Sequence, residues 1–278
     1  MIDSLDCAGK RLDLSRPQVM GILNVTPDSF SDGGLFVSAE SALLQAQKML
    51  HEGAAIVDVG GESTRPGAVA VGIQEELDRV IPVIEAIHNE LDVIVSVDTS
   101  KAEVMREAVH AGAGIINDVR ALREPGAMEA AGEADVPVCL MHMSGEPRTM
   151  QEAPHYGDVV ATVKAFLHDR MRQCEQAGIT RERLIIDPGF GFGKTVAHNL
   201  TLVKRLGEFA ALGAPILMGV SRKSTIGAIL DRPVEQRLAG SVALASLCCQ
   251  GGTKILRAHD VAATVDAVKI CHAVRMAE

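Results

Sequence analysis

The chain alternates between short apolar runs and longer segments in which apolar residues recur every three or four positions. Eight of the apolar runs are rich in Val and Ile and lack polar alternation, as expected for strands buried on both faces. They cover residues 18–24, 54–61, 93–98, 114–118, 137–142, 183–189, 215–221 and 253–260. Each run is therefore predicted to be a strand of a parallel sheet.

The segments between these runs have helical periodicity. The clearest of them cover residues 38–53, 75–88, 101–112 and 159–178. Three end in Gly53, Gly112 and Gly178, and glycine is a common stop signal for helices. Eight strand and helix units most simply close into a (β/α)₈ TIM barrel. An open doubly wound sheet is the alternative, and the lack of a GxGxxG fingerprint and of an obvious switch point disfavours it.

Length and composition favour one large α/β domain. The chain has 278 residues, of which 47% are hydrophobic and 23% charged, and no linker divides it, so we predict a single domain over residues 1–278. Residues 5–17 precede the first strand and are predicted to extend over the bottom of the barrel. Neither a membrane span nor a signal peptide is recognisable, so we expect a soluble cytoplasmic protein with no membrane partner.

Charge and cysteine content exclude further classes of function. Lys and Arg number 27 against 36 Asp and Glu, a net charge of −9, which argues against nucleic-acid and membrane-surface binding. Any bound anion must then be held by local geometry. The six cysteines form no CxxC pair and several lie in apolar stretches. Reduced structural thiols are therefore favoured over disulfides or a metal site.

Polar side chains follow nearly every predicted strand. They are Asn24, Glu62, Ser63, Thr64, Arg65, Asp98, Asn117, Asp118, His142, Asp187, Ser221, Arg222, Lys223, Arg257 and His259. The carboxyl ends of barrel strands converge on one rim, which is where barrel enzymes place their active sites. Polar groups are costly to bury without partners. We therefore expect a binding site at this rim.

Some charged residues near the strand ends have structural interpretations. We expect Asp58 and Asp118 to be hydrogen-bond acceptors that face the helices. His142 fits either a core histidine or a site residue. Adjacent positions at a strand end face opposite ways, so Arg222 is predicted to turn outward toward a helix carboxylate while Lys223 turns inward.

Two motifs suggest chemistry that the sequence does not otherwise support. The stretch DPGFGFGKT at 187–195 fails as a phosphate loop because Pro188 stands where the first glycine is required. Lys194 likewise breaks a dinucleotide fingerprint, so we expect these glycines to let backbone approach a flat ligand. A Schiff-base role for Lys223 would make the protein an aldolase. Two carboxylates and an amide, Asp98, Asp187 and Asn117, instead suit the donor-rich edge of an aminopyrimidinone ring.

Long motifs over nearly the whole chain resemble the dihydropteroate synthase family. They are GILNVTPDSFSDGG (21–34), GGESTRPGA (60–68), SVDTSK (96–101), IINDV (115–119), LMHM (140–143), DPGFGFGK (187–194), SRKS (221–224) and RAHDV (257–261). Their order is that of the family, and no functional position departs from its pattern.

The resemblance implies transfer of a 7,8-dihydropterin-6-ylmethyl group from its diphosphate ester to the amine of 4-aminobenzoate, giving 7,8-dihydropteroate and pyrophosphate. By the same resemblance Asp98, Asn117, Asp187, Lys223 and Arg257 bind the pterin. Lys223, Arg257 and Asp98 are the expected catalytic residues. The implied reaction is dissociative, so that the C–O bond breaks before the amine attacks.

The resemblance also assigns the remaining parts of the site. Pyrophosphate is expected at Asn24, Thr64, Arg257 and His259, with Asn24 as a ligand of Mg²⁺, the implied cofactor. The aminobenzoate pocket is expected to comprise Phe30, Thr64, Arg65, Pro66, Phe192 and Ser221. Loops 26–34 and 62–68 are predicted to act as lids. Sulfonamides are the implied inhibitors, and a homodimer formed through helices such as 236–250 is the implied assembly.

Two other classes compete with this interpretation. Methyltetrahydrofolate:corrinoid methyltransferases share the barrel and the pterin-reading Asp, Asn and Asp, but they do not need the SRKS or TPDSFSDGG motifs. A non-catalytic pterin carrier would bind without turnover. The long loop motifs disfavour both.

Overall fold

The structure is a computed structural model that describes residues 2–25, 35–63, 70–145 and 154–277. The chain begins with an antiparallel hairpin of β1 (Ser4–Cys7) and β2 (Lys10–Asp13). Eight parallel strands follow: β3 (Gln18–Asn24), β4 (Ile56–Gly60), β5 (Ile94–Asp98), β6 (Ile115–Asp118), β7 (Val138–Met141), β8 (Leu184–Asp187), β9 (Leu217–Met218) and β10 (Ile255–Ala258).

Helices connect the strands and cover them. They are α1 (Leu35–His51), α2 (Ile73–Glu90), α3 (Ala102–His110), α4 (Ala127–Ala134), α5 (Val159–Gln176), α6 (Val196–Lys204), α7 (Ser224–Leu230), α8 (Leu238–Gln250) and α9 (Val261–Met276). The predicted stop residues Gly53, Gly112 and Gly178 follow α1, α3 and α5, each with a positive φ that glycine adopts readily. No helix in the described ranges is long and apolar enough to cross a membrane.

The sheet closes nearly into a ring. The strand order is β8-β7-β6-β5-β4-β3-β10-β9, and a parallel bridge between Ile186 and Ile216 joins β8 to the residue preceding β9. Strands that follow the chain order around a ring define a TIM barrel. The predicted (β/α)₈ barrel is therefore confirmed and the open sheet is excluded.

Strand β9 is shorter than predicted. The apolar run suggested residues 215–221, but ladder pairing covers only Leu217–Met218. Pro215 has no N–H to donate, and Arg222 lies in the left-handed region with a φ of 54°. Both features limit regular pairing, although the run occupies the predicted place in the barrel.

The hairpin closes the amino-terminal end of the barrel. Its apolar residues Leu5, Cys7 and Leu12, with Leu14 directly after it, form one cluster with the first inward side chains of the eight strands. Those side chains are Met20, Ile56, Ile94, Ile115, Cys139, Ile185, Leu217 and Ile255. The predicted extension over the barrel bottom is thus confirmed, and polar side chains are left to the opposite end.

All six cysteines are free thiols, of which five are buried. Burial raises the pKa of Cys7 to about 12, so its thiol stays protonated and behaves as a small apolar side chain.

Candidate functional site

The carboxyl ends of the strands form the mouth of the barrel. Asn24, Gly60, Asp98 and Asn117 lie side by side at one level on four consecutive strands, β3 to β6. A Cβ built on Gly60 would lie 3.8 Å from Asp98 Oδ2 and 3.9 Å from Asn24 Oδ1. A glycine at this position therefore keeps the space between the two polar side chains open.

Arg257 crosses the barrel from β10 to two carboxylates. Its Nε donates to Asp58 Oδ2 at 2.5 Å and its Nη2 to Asp98 Oδ2 at 2.6 Å. Asn117 Nδ2 donates to the same Asp58 oxygen at 3.1 Å. Three of the residues predicted to bind the pterin, Asp98, Asn117 and Arg257, are thus joined in one buried network.

Asp58 corrects a prediction. It was expected to face the helices, but its side chain is fully buried inside the barrel between Arg257 and Asn117. Side chains of a strand alternate between faces, and Ile56 lies in the apolar cluster at the barrel bottom, so Asp58 must point inward as well. The sequence does not show this direction, because the flanking Val57 and Val59 make the other face of the strand apolar as well.

Asp118, by contrast, has the predicted structural role. Its carboxylate accepts hydrogen bonds from Ser100 Oγ and from the backbone N–H groups of Arg120 and Leu122. These contacts hold the turn that follows β6, in which Ala121 and Leu122 both have positive φ.

The buried carboxyls of the mouth have raised pKa values. Burial raises the pKa of Asp98 to about 7, although the charge of Arg257 opposes the shift. Burial also raises the pKa of Asp187, against a hydrogen bond from the Gly189 N–H and the charge of Lys223. Such shifts concentrate at functional sites. Burial acts to lower the pKa of Arg257, but Asp58 and Asp98 hold it above its ordinary value.

Lys223 reaches inward beside an aromatic ring. Its Nζ donates to the Phe190 carbonyl at 2.6 Å and lies 4.0 Å from the centroid of the Phe192 ring. Phe192 in turn packs on a small apolar cluster of Val119, Met141 and Met143. Burial lowers the pKa of Lys223 to about 8, with Asp187 opposing the shift. The side chain offers N–H donors next to an apolar face.

Arg222 turns the other way, as predicted. Its guanidinium pairs with Asp260 at the start of α9, and its backbone N–H donates to Ser241 Oγ of α8 at 2.9 Å. Arg222 has a left-handed backbone conformation. Its side chain therefore lies on the outside of the barrel, whereas Lys223 reaches inward.

Lys194 is almost fully buried. Its Nζ lies 2.8 Å from Gly189 O, 3.0 Å from Phe192 O and 3.0 Å from His142 Nδ1. Burial lowers the pKa of Lys194 to about 7, and burial together with the Lys194 charge lowers that of His142 to about 3. His142 is therefore a neutral core histidine, which also packs edge-on against Phe166. Sequence reasoning treated Lys194 only as a false phosphate-loop residue and missed this role.

The glycines of the 187–195 segment meet protein groups. A Cβ on Gly189 would lie 1.8 Å from His142 O, and one on Gly191 would lie 2.7 Å from Lys223 Cδ. Both residues also have positive φ, of 70° and 86°. Glycine is thus required for the loop to pack against His142 and Lys223, and the predicted approach of this loop to a flat ligand stays a prediction.

Ser221 and His259, which follow β9 and β10 in the chain, form a pair. Ser221 Oγ accepts from the His259 backbone N–H at 3.2 Å and lies 3.0 Å from His259 Nδ1. One residue was predicted for the aminobenzoate pocket and the other for pyrophosphate, so the contact links the two parts of the site.

An ionic cluster anchors the chain after β4. Lys101 pairs with both Glu62 and the buried Glu76, and Arg79 Nη1 donates to Gly61 O at 2.7 Å. Sequence reasoning did not identify this anchor, although Glu62 and Lys101 both lie in quoted motifs. The predicted pocket residues Phe30, Thr64, Arg65 and Pro66 lie outside the described residues.

No group of three or more His, Cys, Asp or Glu residues within the described ranges could hold a metal ion. The half-buried Asn24 offers one neutral oxygen beside Asp98. This donor set fits a hard cation that takes most of its oxygen ligands from a substrate, and it does not fit a cation held by protein alone.

Taken together, the mouth presents three acceptors and two cations. Asp98, Asn117 and Asp187 can receive N–H groups, while Lys223 and Arg257 can donate to a carbonyl or an anion. The arrangement suits a flat, nitrogen-rich heterocycle with a charged substituent.

Comparison with known proteins finds relatives over nearly the whole chain. Residues 20–259 match the family model described as pterin binding enzyme. The dihydropteroate synthase of Haemophilus influenzae is 59% identical over 264 residues, which cover 95% of this chain and 96% of the relative.

Solved structures agree with this family match. The Xanthomonas albilineans dihydropteroate synthase with 4-aminobenzoic acid has a TM-score of 0.94 and 54% identity, and all of both chains is covered. The Yersinia pestis dihydropteroate synthase in complex with a sulfonamide drug has a TM-score of 0.95 and 53% identity, covering 99% of this chain and 100% of that one.

Proposed function

The chain belongs to the dihydropteroate synthase family of pterin-binding enzymes, and from this membership we propose how its residues carry out the reaction. The enzyme is a transferase that condenses 7,8-dihydropterin-6-ylmethyl diphosphate with 4-aminobenzoate in folate biosynthesis. A corrinoid methyltransferase or a non-catalytic pterin carrier is not favoured, since the chain is 59% identical to a dihydropteroate synthase over nearly its full length.

The pterin lies on the strand ends in this proposal. Asp187 accepts its amino and ring N–H groups, and Asn117 and Asp98 complete the edge. Lys223 donates to the pterin carbonyl and ring nitrogen, and Arg257 lies against the ring face. The observation that carries the assignment is the buried network of Arg257 with Asp58, Asp98 and Asn117.

Pyrophosphate is proposed to bind at Asn24, Thr64, Arg257 and His259. Asn24 would help to hold Mg²⁺, and the cation would supply positive charge that neutralises the leaving group. The enzyme carries a net charge of −9, so the cations at the mouth supply the local attraction for an anion.

The reaction is proposed to begin with cleavage of the C–O bond, whose electron pair leaves with pyrophosphate. The electron-rich dihydropterin then stabilises the methylene cation, and the lone pair of the aromatic amine attacks it. The resulting ammonium loses its proton after the C–N bond has formed. Asp98 holds the ring, while Arg257 and Lys223 orient the reacting groups and stabilise the charge that develops on the leaving group.

The aminobenzoate pocket is proposed to contain Phe30, Thr64, Arg65, Pro66, Phe192 and Ser221. The partly buried Phe192 ring, packed on Val119 and Met143, supports an aromatic ligand on this side. Sulfonamides are proposed to occupy the same pocket, because they are also small aromatic amines that carry an anionic group. The cytoplasmic location expected from the sequence stays a prediction.

A homodimer is proposed through α8 and α9. These helices leave Leu247, Ile270 and Val274 between 51% and 67% exposed on one side of the barrel. Cys271 Sγ contacts Ser246 O, so the two helices pack closely between these residues. Large exposed apolar side chains on adjacent helices are typical of an interface. Light scattering should report twice the chain mass, and Ile270→Glu should give a monomer.

Pyrophosphate release tests the proposed function. Purified protein is combined with Mg²⁺, the dihydropterin diphosphate and 4-aminobenzoate, and each component is omitted in turn. Release that requires all three components, with 7,8-dihydropteroate as the product, is the expected result. Tight pterin binding without release under any condition would contradict the proposal.

A further inference from the structure

We propose that Asp58 is a positioning residue for pterin recognition, which turns the carbonyl of Asn117 toward the barrel mouth and fixes the guanidinium of Arg257. Asp58 itself lies one layer below the residues assigned to the pterin, since it pairs in register with Ser96 while Asn117 pairs with Asp98. The inference rests on the proposed placement of the pterin.

Asp58 determines which way the Asn117 amide faces. An ionised carboxylate oxygen can only accept hydrogen bonds, and Asp58 Oδ2 already accepts from Arg257. The amide atom 3.1 Å from that oxygen must therefore be the nitrogen, because two oxygen acceptors would repel each other. With the nitrogen on Asp58, the carbonyl oxygen of Asn117 points away from Asp58 and is left for the mouth. An acceptor at this place matches an N–H edge and rejects a carbonyl edge.

Asp58 also fixes Arg257. Carboxylates on two adjacent strands take two different edges of its guanidinium, through Nε to Asp58 and Nη2 to Asp98. A planar group held at two edges has little rotational freedom, so its face is presented in one orientation. Without Asp58 the side chain would keep only the contact to Asp98, the residue that the pterin itself is proposed to use.

Calorimetry with 6-hydroxymethyl-7,8-dihydropterin, which lacks the diphosphate, tests this role. The titration compares wild type, Asp58→Asn, Asn117→Ala and the double variant. We expect Asp58→Asn to weaken binding at least tenfold, while the KM for 4-aminobenzoate changes less than twofold. Because Asp58 acts in part through Asn117, the double variant should lose clearly less than the product of the two single losses. Fully multiplicative losses would overturn the proposal.

Asp118→Asn is the matched control. Asp118 is an equally buried carboxylate next to Asn117 in the chain, but it contacts Ser100 and backbone N–H groups instead of Arg257. We expect this variant to lower the Tm and to leave pterin affinity within twofold of wild type. Equal loss of affinity in Asp118→Asn and Asp58→Asn would assign Asp58 a purely structural role and overturn the proposal.

Asn117→Asp tests the same contact with Asp58 left intact, should Asp58→Asn fail to fold. Two carboxylates about 3 Å apart cannot both ionise readily, so one must hold a proton. We expect pterin binding by Asn117→Asp to weaken relative to wild type as the pH rises from 6 to 9. A constant ratio of the two affinities would overturn the inference.

Wild-type affinity in Asn117→Ala would overturn the pterin placement itself. Weak binding by Asn117→Ala beside normal binding by Asp58→Asn would overturn the Asp58 role alone.

Discussion

The pterin part of the site and the aminobenzoate part are built from different parts of the chain. Four of the residues assigned to the pterin lie in strands and Lys223 precedes α7, and buried contacts such as those of Arg257 with Asp58 and Asp98 hold this part of the site. Most of the residues assigned to aminobenzoate and part of the pyrophosphate site lie instead on the segments after β3 and β4. A site on strands is preorganised by the sheet, whereas a site on loops depends on how those segments are anchored.

This difference predicts that pterin recognition fails abruptly when a strand residue is lost. Asp187→Ala removes a buried carboxylate that is proposed to accept two N–H groups, each charge-assisted bond being worth about 1.5–3 kcal/mol. We expect pterin affinity to fall by about 100-fold or more, as measured by calorimetry. Asp158→Ala, which removes an exposed carboxylate at the start of α5, should bind the pterin normally. Near-normal affinity in Asp187→Ala would contradict the site assignment.

The pH dependence of kcat/KM for the pterin substrate gives the next largest effect. Asp98, with a pKa of about 7, must be ionised to accept N–H groups, and Lys223, with a pKa of about 8, must be protonated to donate. The value of kcat/KM should therefore fall about tenfold per pH unit below pH 7, and likewise above pH 8. Asp98→Asn should remove the acid limb, and an unchanged acid limb in that variant would refute the assignment.

The same group links pH to stability. The pKa of Asp98 is raised from its ordinary value of 3.8, so the folded protein holds this proton more tightly than the unfolded chain. Its stabilising contribution is fully present below pH 3.8 and is lost as the pH rises through about 7. Denaturant unfolding of the free enzyme should show a smaller decline in stability between pH 5 and pH 8 in Asp98→Asn than in wild type.

A smaller effect is expected from the buried lysine that supports Phe192. Lys194→Met leaves the carbonyls of Gly189 and Phe192 without a donor, at a cost of about 2–4 kcal/mol. We expect a lower Tm and a kcat/KM for 4-aminobenzoate reduced about fivefold, while pterin affinity stays close to wild type. The exposed Lys204→Met should change neither quantity. An equal loss of pterin affinity and of kcat/KM for 4-aminobenzoate would show that the 187–195 segment also supports the pterin site.

The smallest predicted effect separates substrate from inhibitor. Ser221→Ala should weaken sulfonamide binding more than it raises the KM for 4-aminobenzoate, by a few-fold at most. Inhibition assays against both ligands measure the difference, with Ser246→Ala on α8 as the control. Equal losses for substrate and sulfonamide would argue against a shared but unequal pocket.

Sequence patterns predicted the fold well because parallel strands buried on both faces leave a simple signal. Runs such as 18–24 coincide with the observed β3, and the polar residue that follows each run marks the mouth. The same signal failed inside β4, where Asp58 lies between two buried valines and no alternation shows its direction. It also could not find Lys194, whose partners are backbone carbonyls brought together by the loop.

The strand ends together with Lys223 are proposed to recognise the pterin independently of the segments that follow β3 and β4. The most direct test is a calorimetric titration of Phe30→Ala/Pro66→Ala with 6-hydroxymethyl-7,8-dihydropterin. We expect an affinity within about twofold of wild type, with the turnover of 4-aminobenzoate greatly reduced. A loss of pterin affinity of tenfold or more in this variant would contradict the claim.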